Sequence, residues 1–359
     1  MNRQTHSTMR TLVAKHRPTI ADVARAAGVS KGLVSFALND RPGVSATTRK
    51  RILAAADELG WRPSLRARSL STDRAFALGL VIARDPQIIA ADPFFPALIA
   101  GIETALAPVG QALVLSMVAS EEAELASYRQ LAAHDRVDGV IITDLRQGDP
   151  RLALALELGL QAVTLGHPDA PSPFPAVALD DDPGIRSTVE HLVGLGHRRI
   201  AHVAGPTRML HGSRRRNSFT SALKWRGLHG DLIFETDFSA SDGARATAEL
   251  LSLADPPTAI VYSNDPMAIA GMGVAQRAGL RIPDDLSITG FDDSDVGQHL
   301  NPSLTTVTTA AQEWGRTAAS ALLRLIEGDA VADIELAPAQ LVIRGSSGSP
   351  TPRTPATAP

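Results

Sequence analysis

The sequence contains no cysteine in its 359 residues. Disulfide bonds and thiolate metal sites are therefore excluded, and cysteine usage gives no information about the redox compartment. The chain also lacks an apolar run of 18 residues and the charged-then-apolar start of a secretory signal. We therefore expect a soluble, cytoplasmic protein without a membrane partner.

The motifs that usually carry catalysis are missing as well. No G-x-S-x-G, H-E-x-x-H, P-loop or G-x-G-x-x-G motif follows a strand in the required context. Gly271, Met272 and Gly273 lie inside a helical pattern, and the ten histidines form no pair with metal-ligand spacing on one predicted face. We therefore expect no enzymatic activity, no metal and no cofactor.

Positive charge is concentrated in the first part of the chain. Residues 1–74 contain 14 Lys and Arg against 5 Asp and Glu, whereas the remaining residues contain 21 against 33. A basic module on an acidic body suits attraction to a phosphate backbone. Residues 1–17 are basic but lack hydrophobic periodicity, so we expect them to be disordered. The length predicts two or three domains.

Residues 19–39 predict two short helices joined by a tight turn. Thr19 precedes Asp22 by three residues, as in a capping box, and apolar residues then recur with the spacing of one buried helix face. Gly28 suits a left-handed helix end, and Ser30 suits the cap of a second helix. This pair is typical of a helix-turn-helix, although an ordinary helical hairpin shares its outline.

A third helix is predicted after the cap Ser45, so residues 18–63 form an all-α, three-helix headpiece. Residues 64–74 are a short basic linker. The segments T-I-A-D-V-A, A-G-V-S, V-S-x-x-L-N and A-R-x-L resemble the headpiece and hinge of the LacI/GalR family of bacterial repressors. The resemblance implies that the second helix enters the DNA major groove and that the linker folds as a hinge helix against the minor groove.

Side-chain chemistry and the resemblance together suggest the DNA contacts. Small polar groups suit phosphate hydrogen bonds, Lys31 suits guanine, and Phe36 offers apolar contact, for example to a thymine methyl. Phe36 and Leu33 depart from the Arg and Thr common in the family, which leaves the operator sequence open. Phe36 as a core aromatic and Lys31 as a solvated charge are alternatives. The proposed contacts are Thr19, Ser30, Lys31, Gly32, Ser35, Phe36, Asn39, Arg66, Ala67, Arg68 and Leu70.

Leu70 is predicted to act as a wedge. A leucine inserted between base pairs from the minor groove unstacks and kinks DNA, and a pair of such wedges needs two hinge helices side by side. We therefore expect a homodimer on a pseudopalindromic double-stranded operator. The hinge helix is too short to be stable alone and should fold on binding. A linker leucine that packs on the body is the alternative.

From Ala75 onward, buried strands alternate with helices, which predicts a doubly wound α/β architecture. Such a length exceeds one sheet, so two lobes with a ligand between them are expected. The resemblance implies a two-lobed, type I periplasmic-binding-protein-like domain over residues 75–345, with the first lobe ending near residue 176 and a return crossing at 305–312. Residues 346–359 are rich in Pro, Ser and Thr and are predicted to be disordered.

Effector contacts are expected at the carboxyl ends of the strands. A guanidinium, an amide, carboxylates and aromatic rings there suit a sugar-like effector. By the resemblance, Met209 stands where some purine-binding members have a charged contact, which argues mildly against a purine. Helix capping or core packing is the alternative for several of these residues, and the register of Arg215 within its arginine run is open. The candidates are Phe94, Phe95, Arg215, Phe238, Asn264, Asp265 and Asp292.

The sequence thus predicts an allosteric transcriptional regulator, a repressor, whose operator affinity is switched by a small molecule. Whether the effector releases or promotes DNA binding is open. An architectural DNA-binding protein with a vestigial pocket and a solute-binding receptor are the alternatives. The basic headpiece argues against the receptor.

Overall fold

The computed structural model describes residues 18–38, 41–62, 72 and 74–351. The described residues up to Arg74 belong to one compact unit, the headpiece, and those from Ala75 belong to a second, the sensor body. In the described ranges, every helix is too short or too polar to cross a lipid bilayer. Several predicted features lie outside the described residues, namely the segments 1–17 and 352–359, the DNA contacts Asn39, Arg66, Ala67 and Arg68, and the wedge Leu70.

The headpiece consists of three helices: α1 Ile20–Ala27, α2 Lys31–Leu38 and α3 Ala46–Glu58. At the start of α1, the Thr19 hydroxyl and backbone N–H both donate to the Asp22 carboxylate, at 2.7 and 2.9 Å. Gly28 ends α1 in the left-handed conformation, at φ 63°. The Ser30 hydroxyl accepts a hydrogen bond from Leu33 N–H at the start of α2. The predicted helix-turn-helix is therefore confirmed.

The headpiece core is built from small apolar side chains on all three helices. Short side chains allow the helix axes to approach closely, so three short helices suffice to enclose a core. Around it lie five partly buried residues, including Trp61. The buried members are Val23, Ala24, Ala27, Val34, Ala37, Ile52, Ala55 and Ala56.

Strands and helices alternate through the sensor body. In chain order, the elements are β1 Ala77–Ala83, α4 Pro86–Ala91, α5 Phe94–Leu106, β2 Ala112–Val118, α6 Glu121–Ala133, β3 Gly139–Ile142, α7 Pro150–Glu157, β4 Gln161–Leu165, β5 Ala176–Ala178, α8 Asp182–Gly194, β6 Ile200–Ala204, α9 Leu210–Trp225 and β7 Ile233–Glu235. They continue with α10 Ala240–Leu251, β8 Ala259–Tyr262, α11 Asp265–Arg277, β9 Ser287–Thr289, α12 Asp295–Gln298, β10 Thr306–Val307, α13 Ala311–Ile326, β11 Ile334–Glu335 and β12 Leu341–Val342.

These elements form two α/β lobes. The first lobe has a parallel sheet in the order β11-β5-β4-β3-β1-β2, and the second has a parallel sheet in the order β7-β6-β8-β9 beside an antiparallel β10-β12 pair. The chain passes between the lobes after β5, after β10 and after β11. The first two crossings were predicted, whereas the third was not, because β11 and β12 have only two residues each.

Helices α5 and α13 of the first lobe approach to backbone contact through two glycines. A Cβ atom on Gly101 would lie 1.9 Å from the Gln312 carbonyl oxygen, and one on Gly315 would lie 2.1 Å from the Leu98 carbonyl oxygen. Any larger side chain would push the helices apart. This contact holds α5, which carries part of the site at its start, against the segment that returns from the second lobe.

The predicted disorder of the tail is wrong for residues 346–351. Ser346 is fully buried, its hydroxyl donates to Ile288 O at 2.6 Å, and its carbonyl accepts from Ile288 N–H. The Gly348 carbonyl lies 2.9 Å from the ring of buried His197. Composition suggested disorder because small polar residues bury little apolar surface, but here they satisfy polar groups of the second lobe.

Candidate functional site

Helix α2 presents a distinct outer face. Val34 and Ala37 are buried in the headpiece core, whereas Ser30, Lys31 and Gly32 are exposed at the helix start. Exposed residues at the start of the second helix are those that reach base edges in helix-turn-helix proteins. The predicted phosphate contact Thr19 is also exposed, and Ser35 is half-buried.

Phe36 lies on this outer face of α2. Its side chain is 42% exposed, and the Arg41 guanidinium lies 5.9 Å from the ring centroid. The alternative that placed Phe36 in the core is therefore wrong. A large apolar ring that stays in solvent beside a cation is suited to contact with a DNA base.

A cavity of about 510 Å³ lies between the two lobes of the sensor body. This volume falls within the range of small-molecule sites in proteins. Its walls come from the carboxyl ends of strands in both sheets, as the topology of open α/β sheets requires. Five of the seven predicted effector contacts line it: Phe94, Arg215, Phe238, Asn264 and Asp292.

The other two candidates do not line the cavity. Phe95 is fully buried in the core of the first lobe, where its ring packs edge-to-face behind that of Phe94, with the centroids 5.4 Å apart. Asp265 is also buried; it accepts hydrogen bonds from the Ser294 backbone at 2.7 Å and from the Thr306 hydroxyl at 2.6 Å. Burial raises the pKa of Asp265 to about 6. Its role is structural.

Arg215 is held rigidly in the cavity wall, on α9. Its Nε donates to Asp181 at 2.7 Å, its Nη1 donates to the Ser263 carbonyl at 2.8 Å, and its guanidinium lies 3.6 Å from the Phe291 ring centroid. These contacts confirm that Arg215, rather than Arg214, is the buried member of the arginine run. Nη2 has no hydrogen-bond partner among the described residues and is available to a ligand.

Sequence reasoning missed a second arginine. Arg84 follows β1, and Asp144 follows β3. The two residues form a bidentate ion pair, in which Arg84 Nε and Nη2 donate to the two carboxylate oxygens of Asp144 at 2.6 and 2.7 Å. Although burial opposes ionisation of Asp144, the charge of Arg84 outweighs it and lowers the pKa of the carboxyl. The rule that strand ends form the site would have found both residues, had it been applied to the first lobe.

The Phe238 ring is enclosed by other site residues. The Arg84 guanidinium lies 4.9 Å from its centroid, and the His211 ring is stacked on it at 5.3 Å. Gly205 makes room for the ring, since a Cβ atom there would lie 1.9 Å from Phe238 Cζ. Burial lowers the pKa of His211 to about 3, so its imidazole is neutral.

Asn264 has a capping role in addition to its place in the wall. Its side-chain oxygen accepts from Met267 N–H at the start of α11, and its amide donates to the Phe238 carbonyl. The capping alternative is thus confirmed for Asn264. Because both ends of the amide are used by the protein, Asn264 chiefly positions Phe238.

Two carboxyl groups, those of buried Asp92 and half-buried Asp292, face the cavity and have no cationic partner in ion-pair contact among the described residues. Asp92 accepts one hydrogen bond, from Phe94 N–H at 3.0 Å, and the Asp292 side chain accepts none from the described residues. Burial raises the pKa of both groups, and for Asp292 the nearby charge of Asp92 adds to the effect.

Backbone strain is concentrated at the cavity wall. Asp144, Phe238 and Asp292 have positive φ angles of 52°, 73° and 118°. Such conformations are unfavourable for residues with a Cβ and persist where the surroundings enforce them. For Asp292, the enforcing contact is a 2.7 Å hydrogen bond from its N–H to the Val307 carbonyl.

The loop that carries Asp144 is fixed by buried charges. Arg151 donates to Glu124 at 2.8 Å, to Asp149 at 2.6 Å and to the Asp144 carbonyl at 3.0 Å. Arg146 donates to the other oxygen of Glu124 at 2.5 Å. This network ties the cavity wall to helix α6.

The same loop also contacts the second lobe across the cleft. Leu210 N–H donates to the Leu145 carbonyl at 2.8 Å, and Gln147 N–H donates to the Arg208 carbonyl at 3.1 Å. Arg208 additionally pairs with Glu121 on α6. The loop therefore joins a wall of the cavity in the first lobe to the start of α9 in the second.

Comparison with known proteins agrees with both sites. Residues 19–64 match the family described as bacterial regulatory proteins, lacI family, and residues 189–347 match a periplasmic binding protein-like domain. The chain is 34% identical over 330 residues to the HTH-type transcriptional regulator CelR of Thermobifida fusca, covering 90% of this chain and 96% of CelR. It is 33% identical over 333 residues to the repressor CytR of Escherichia coli K12, covering 92% and 96%.

Solved structures show the same likeness. The transcriptional regulator CelR–cellobiose complex has a TM-score of 0.70 at 32% identity, covering 92% of this chain and 100% of the other. The lac repressor dimer bound to operator and the anti-inducer ONPF has a TM-score of 0.80 at 30% identity, covering 92% and 99%.

A helix-turn-helix headpiece and a two-lobed sensor in one chain define the class of ligand-responsive DNA-binding regulators. The chain belongs to the LacI family of bacterial transcriptional regulators. As a member of this family, the chain is a DNA-binding transcriptional regulator, and the headpiece is its DNA-binding part.

Proposed function

We propose that this protein is a dimeric repressor whose affinity for a pseudopalindromic operator is set by a sugar-like effector in the cleft of the sensor body. The observation that carries the proposal is the 510 Å³ cavity, which is lined by paired arginines, carboxyls and aromatic rings in a chain that also has the headpiece. Rings that pack on sugar faces and polar groups that bond hydroxyls suit this ligand class. The structures of CelR with cellobiose and of the lac repressor with ONPF support it.

On the DNA side, Thr19, Ser30 and Ser35 position the headpiece through phosphate contacts, and Lys31, Gly32 and Phe36 face base edges. The expected contacts Asn39, Arg66, Ala67 and Arg68 and the wedge Leu70 remain part of the proposal. Because the target is operator DNA, the protein acts in the cytoplasm. It acts by binding rather than by catalysis.

The dimer is supported by the edge of the first sheet. Among the described residues, strand β2 pairs with β1 alone, and its side chains Leu115 and Met117 are 37% and 47% exposed. Apolar side chains on an unpaired edge strand favour association with a second copy. Two headpieces in one dimer would read two half-sites.

The switch is a change in the angle between the lobes. The effector binds residues of both lobes, so it favours one closure state over the other, and three crossing segments serve as hinges. A few kcal/mol of differential affinity is enough to change operator occupancy strongly.

The test is selection of genomic fragments bound by the purified full chain at physiological salt, followed by titration of the enriched site with neutral sugars. We expect enrichment of a pseudopalindrome and a sugar that both raises the melting temperature and shifts operator affinity. If no sugar raises the melting temperature, the architectural alternative is favoured. Sequence-independent binding would contradict the repressor assignment.

Gly205→Ala separates the two functions. The new methyl group would displace Phe238, so the variant should lose the effector response and keep operator binding. Gly194→Ala is the matched control, since nothing lies within 4 Å of its Cβ position. Normal effector response in Gly205→Ala would show that Phe238 does not form the effector site.

A further inference from the structure

The first residues of the sensor body are held by the carboxylate of Asp138. Ala75 N–H donates to Asp138 Oδ1 at 2.6 Å, and Phe76 N–H donates to Asp138 Oδ2 at 2.9 Å. Both donors precede β1, whose pairing with β2 begins at Ala77. A half-buried backbone N–H group needs an acceptor. Asp138 therefore takes the place of a strand partner at this point.

The backbone that carries this carboxylate is fixed by the first sheet. Asp138 directly precedes β3, an interior strand that lies between β4 and β1. Its N–H donates to the Ala77 carbonyl at 2.8 Å. At the next residue, Gly139, a Cβ atom would lie 2.9 Å from the Gln161 carbonyl oxygen. Neighbouring strands thus hold the start of β3 on both sides.

Phe76 turns the chain sharply where it enters β1. Its φ angle of 55° lies in the left-handed region, which is unfavourable for a residue with a Cβ atom. The conformation is enforced from two sides, because Asp138 binds the Phe76 N–H and the Phe76 carbonyl accepts from Ala112 N–H at 3.0 Å. The direction of the chain is therefore set by these contacts and not by the preference of the residue itself.

This turn lies where the predicted linker, residues 64–74, joins the body. The junction is at the amino-terminal edge of the first sheet, whereas the effector cavity lies at the carboxyl ends of the strands. In a dimer, two headpieces reach two half-sites together only if both linkers leave the body in suitable directions. Fixing these directions in advance reduces the ordering that binding must supply.

Given the proposed dimeric function, we infer that Asp138 is a positioning residue for operator recognition. Its carboxylate fixes the direction in which the linker leaves the body, and it thereby sets the half-site spacing that the dimer accepts. Without these two hydrogen bonds, the first residues of the body gain conformational freedom that must be lost when DNA binds. The operator complex becomes weaker, and more spacings are accepted.

The experiment measures binding of the full chain to the operator enriched from genomic fragments. It is repeated with operators in which one base pair is inserted or deleted between the half-sites. We expect the wild type to prefer one spacing. Asp138→Asn keeps one acceptor oxygen but places an amide donor against the other N–H. It should bind the preferred operator about tenfold more weakly, bind the altered spacings almost equally well, and bind mixed-sequence DNA as the wild type does.

Two controls separate positioning from stability. Asp135→Asn makes the same chemical change at an exposed position of the loop between α6 and β3, and it should behave as the wild type. Ile141→Val removes a methyl group from the buried core and lowers the melting temperature, but it leaves the junction intact. Its spacing preference should therefore be that of the wild type.

The outcomes separate this inference from the proposed function. A folded Asp138→Asn variant that keeps the wild-type spacing preference overturns the inference and leaves the dimeric repressor intact. A wild type that accepts all spacings equally contradicts the proposed dimeric readout and the inference together.

Asp138→Glu serves if Asp138→Asn does not fold. Its longer side chain keeps both acceptor oxygens but displaces the turn, so it should also lose the spacing preference. If neither variant folds, Asp138 serves the stability of the first lobe, and the positioning role is wrong.

Discussion

The headpiece and the sensor body are each stabilised by their own internal polar contacts. These contacts differ in the sequence separation of the residues that they join. In the headpiece, the polar contacts are local and exposed, as between Thr19 and Asp22. In the body, buried polar groups far apart in sequence meet, as Glu124 and Arg151 do. A local contact requires little chain ordering and contributes little, whereas a buried charge is costly to leave unpaired. Substitutions should therefore have larger effects in the body.

The largest effect is expected from Glu124→Ala. The substitution leaves buried Arg146 and Arg151 without their shared carboxylate, which should lower the free energy of unfolding of the body by about 3–5 kcal/mol. Urea denaturation monitored by circular dichroism measures it. Glu122→Ala on the same helix is exposed and should change stability little. If the two substitutions lowered the free energy of unfolding equally, the buried long-range contacts of Glu124 would not be the source of the effect.

Gly315→Ala should follow, with a loss of about 3 kcal/mol. Its methyl group would lie 2.1 Å from the Leu98 carbonyl oxygen, so helices α5 and α13 must separate. Gly194→Ala has open space at its Cβ and should be neutral or slightly stabilising. Thermal unfolding of both variants compares them, and an unperturbed Gly315→Ala would show that the helices can move apart freely.

Asp265 should make the body sensitive to pH. Burial raises its pKa from 3.8 to about 6, so the folded state binds the proton more tightly than the unfolded state. Its contribution to stability is fully present below pH 4 and is lost as pH rises to about 6, by on the order of 2–3 kcal/mol.

In Asp265→Asn, the free energy of unfolding measured between pH 4 and 7 should not show this decrease with rising pH. His202 and His211, whose pKa values are lowered, titrate in both proteins, so their opposite contribution cancels in the difference. Asp295→Asn, at an exposed position of α12, is the control. Parallel pH profiles for wild type and Asp265→Asn would refute the assignment.

The smallest effect is expected in the headpiece. Thr19→Ala removes one of the two hydrogen bonds that fix the start of α1 and should cost about 1 kcal/mol. Thr47→Ala, exposed within α3, removes no cap and serves as the control. A loss in Thr19→Ala as large as that in Glu124→Ala would remove the contrast between the two regions.

The headpiece and the alternation of strands and helices could be predicted from sequence because their signals are local. Capping residues such as Ser30, the left-handed Gly28 and the period of apolar residues each act within a few positions. Strand ends also located Phe238 and Asp292, since parallel strands place their carboxyl ends at one edge, whereas Arg215, on α9, was located by the family resemblance.

The environment and the pairing of the site residues were decided only by the tertiary structure, because they depend on residues that are distant along the chain. Phe94 and Phe95 are adjacent, and only packing shows that one lines the cleft and the other fills the core. Likewise, Asp265 and Asp292 are both aspartates near strand ends. The Asp265 carboxylate accepts hydrogen bonds from Ser294 and Thr306 and is therefore not available to a ligand, whereas Asp292 lines the cavity. The pairing of Arg84 with Asp144, which fixes the charge of the cleft, arises because folding places the ends of β1 and β3 side by side. The physical reason is that ion pairing and burial depend on spatial neighbours, which no local pattern records.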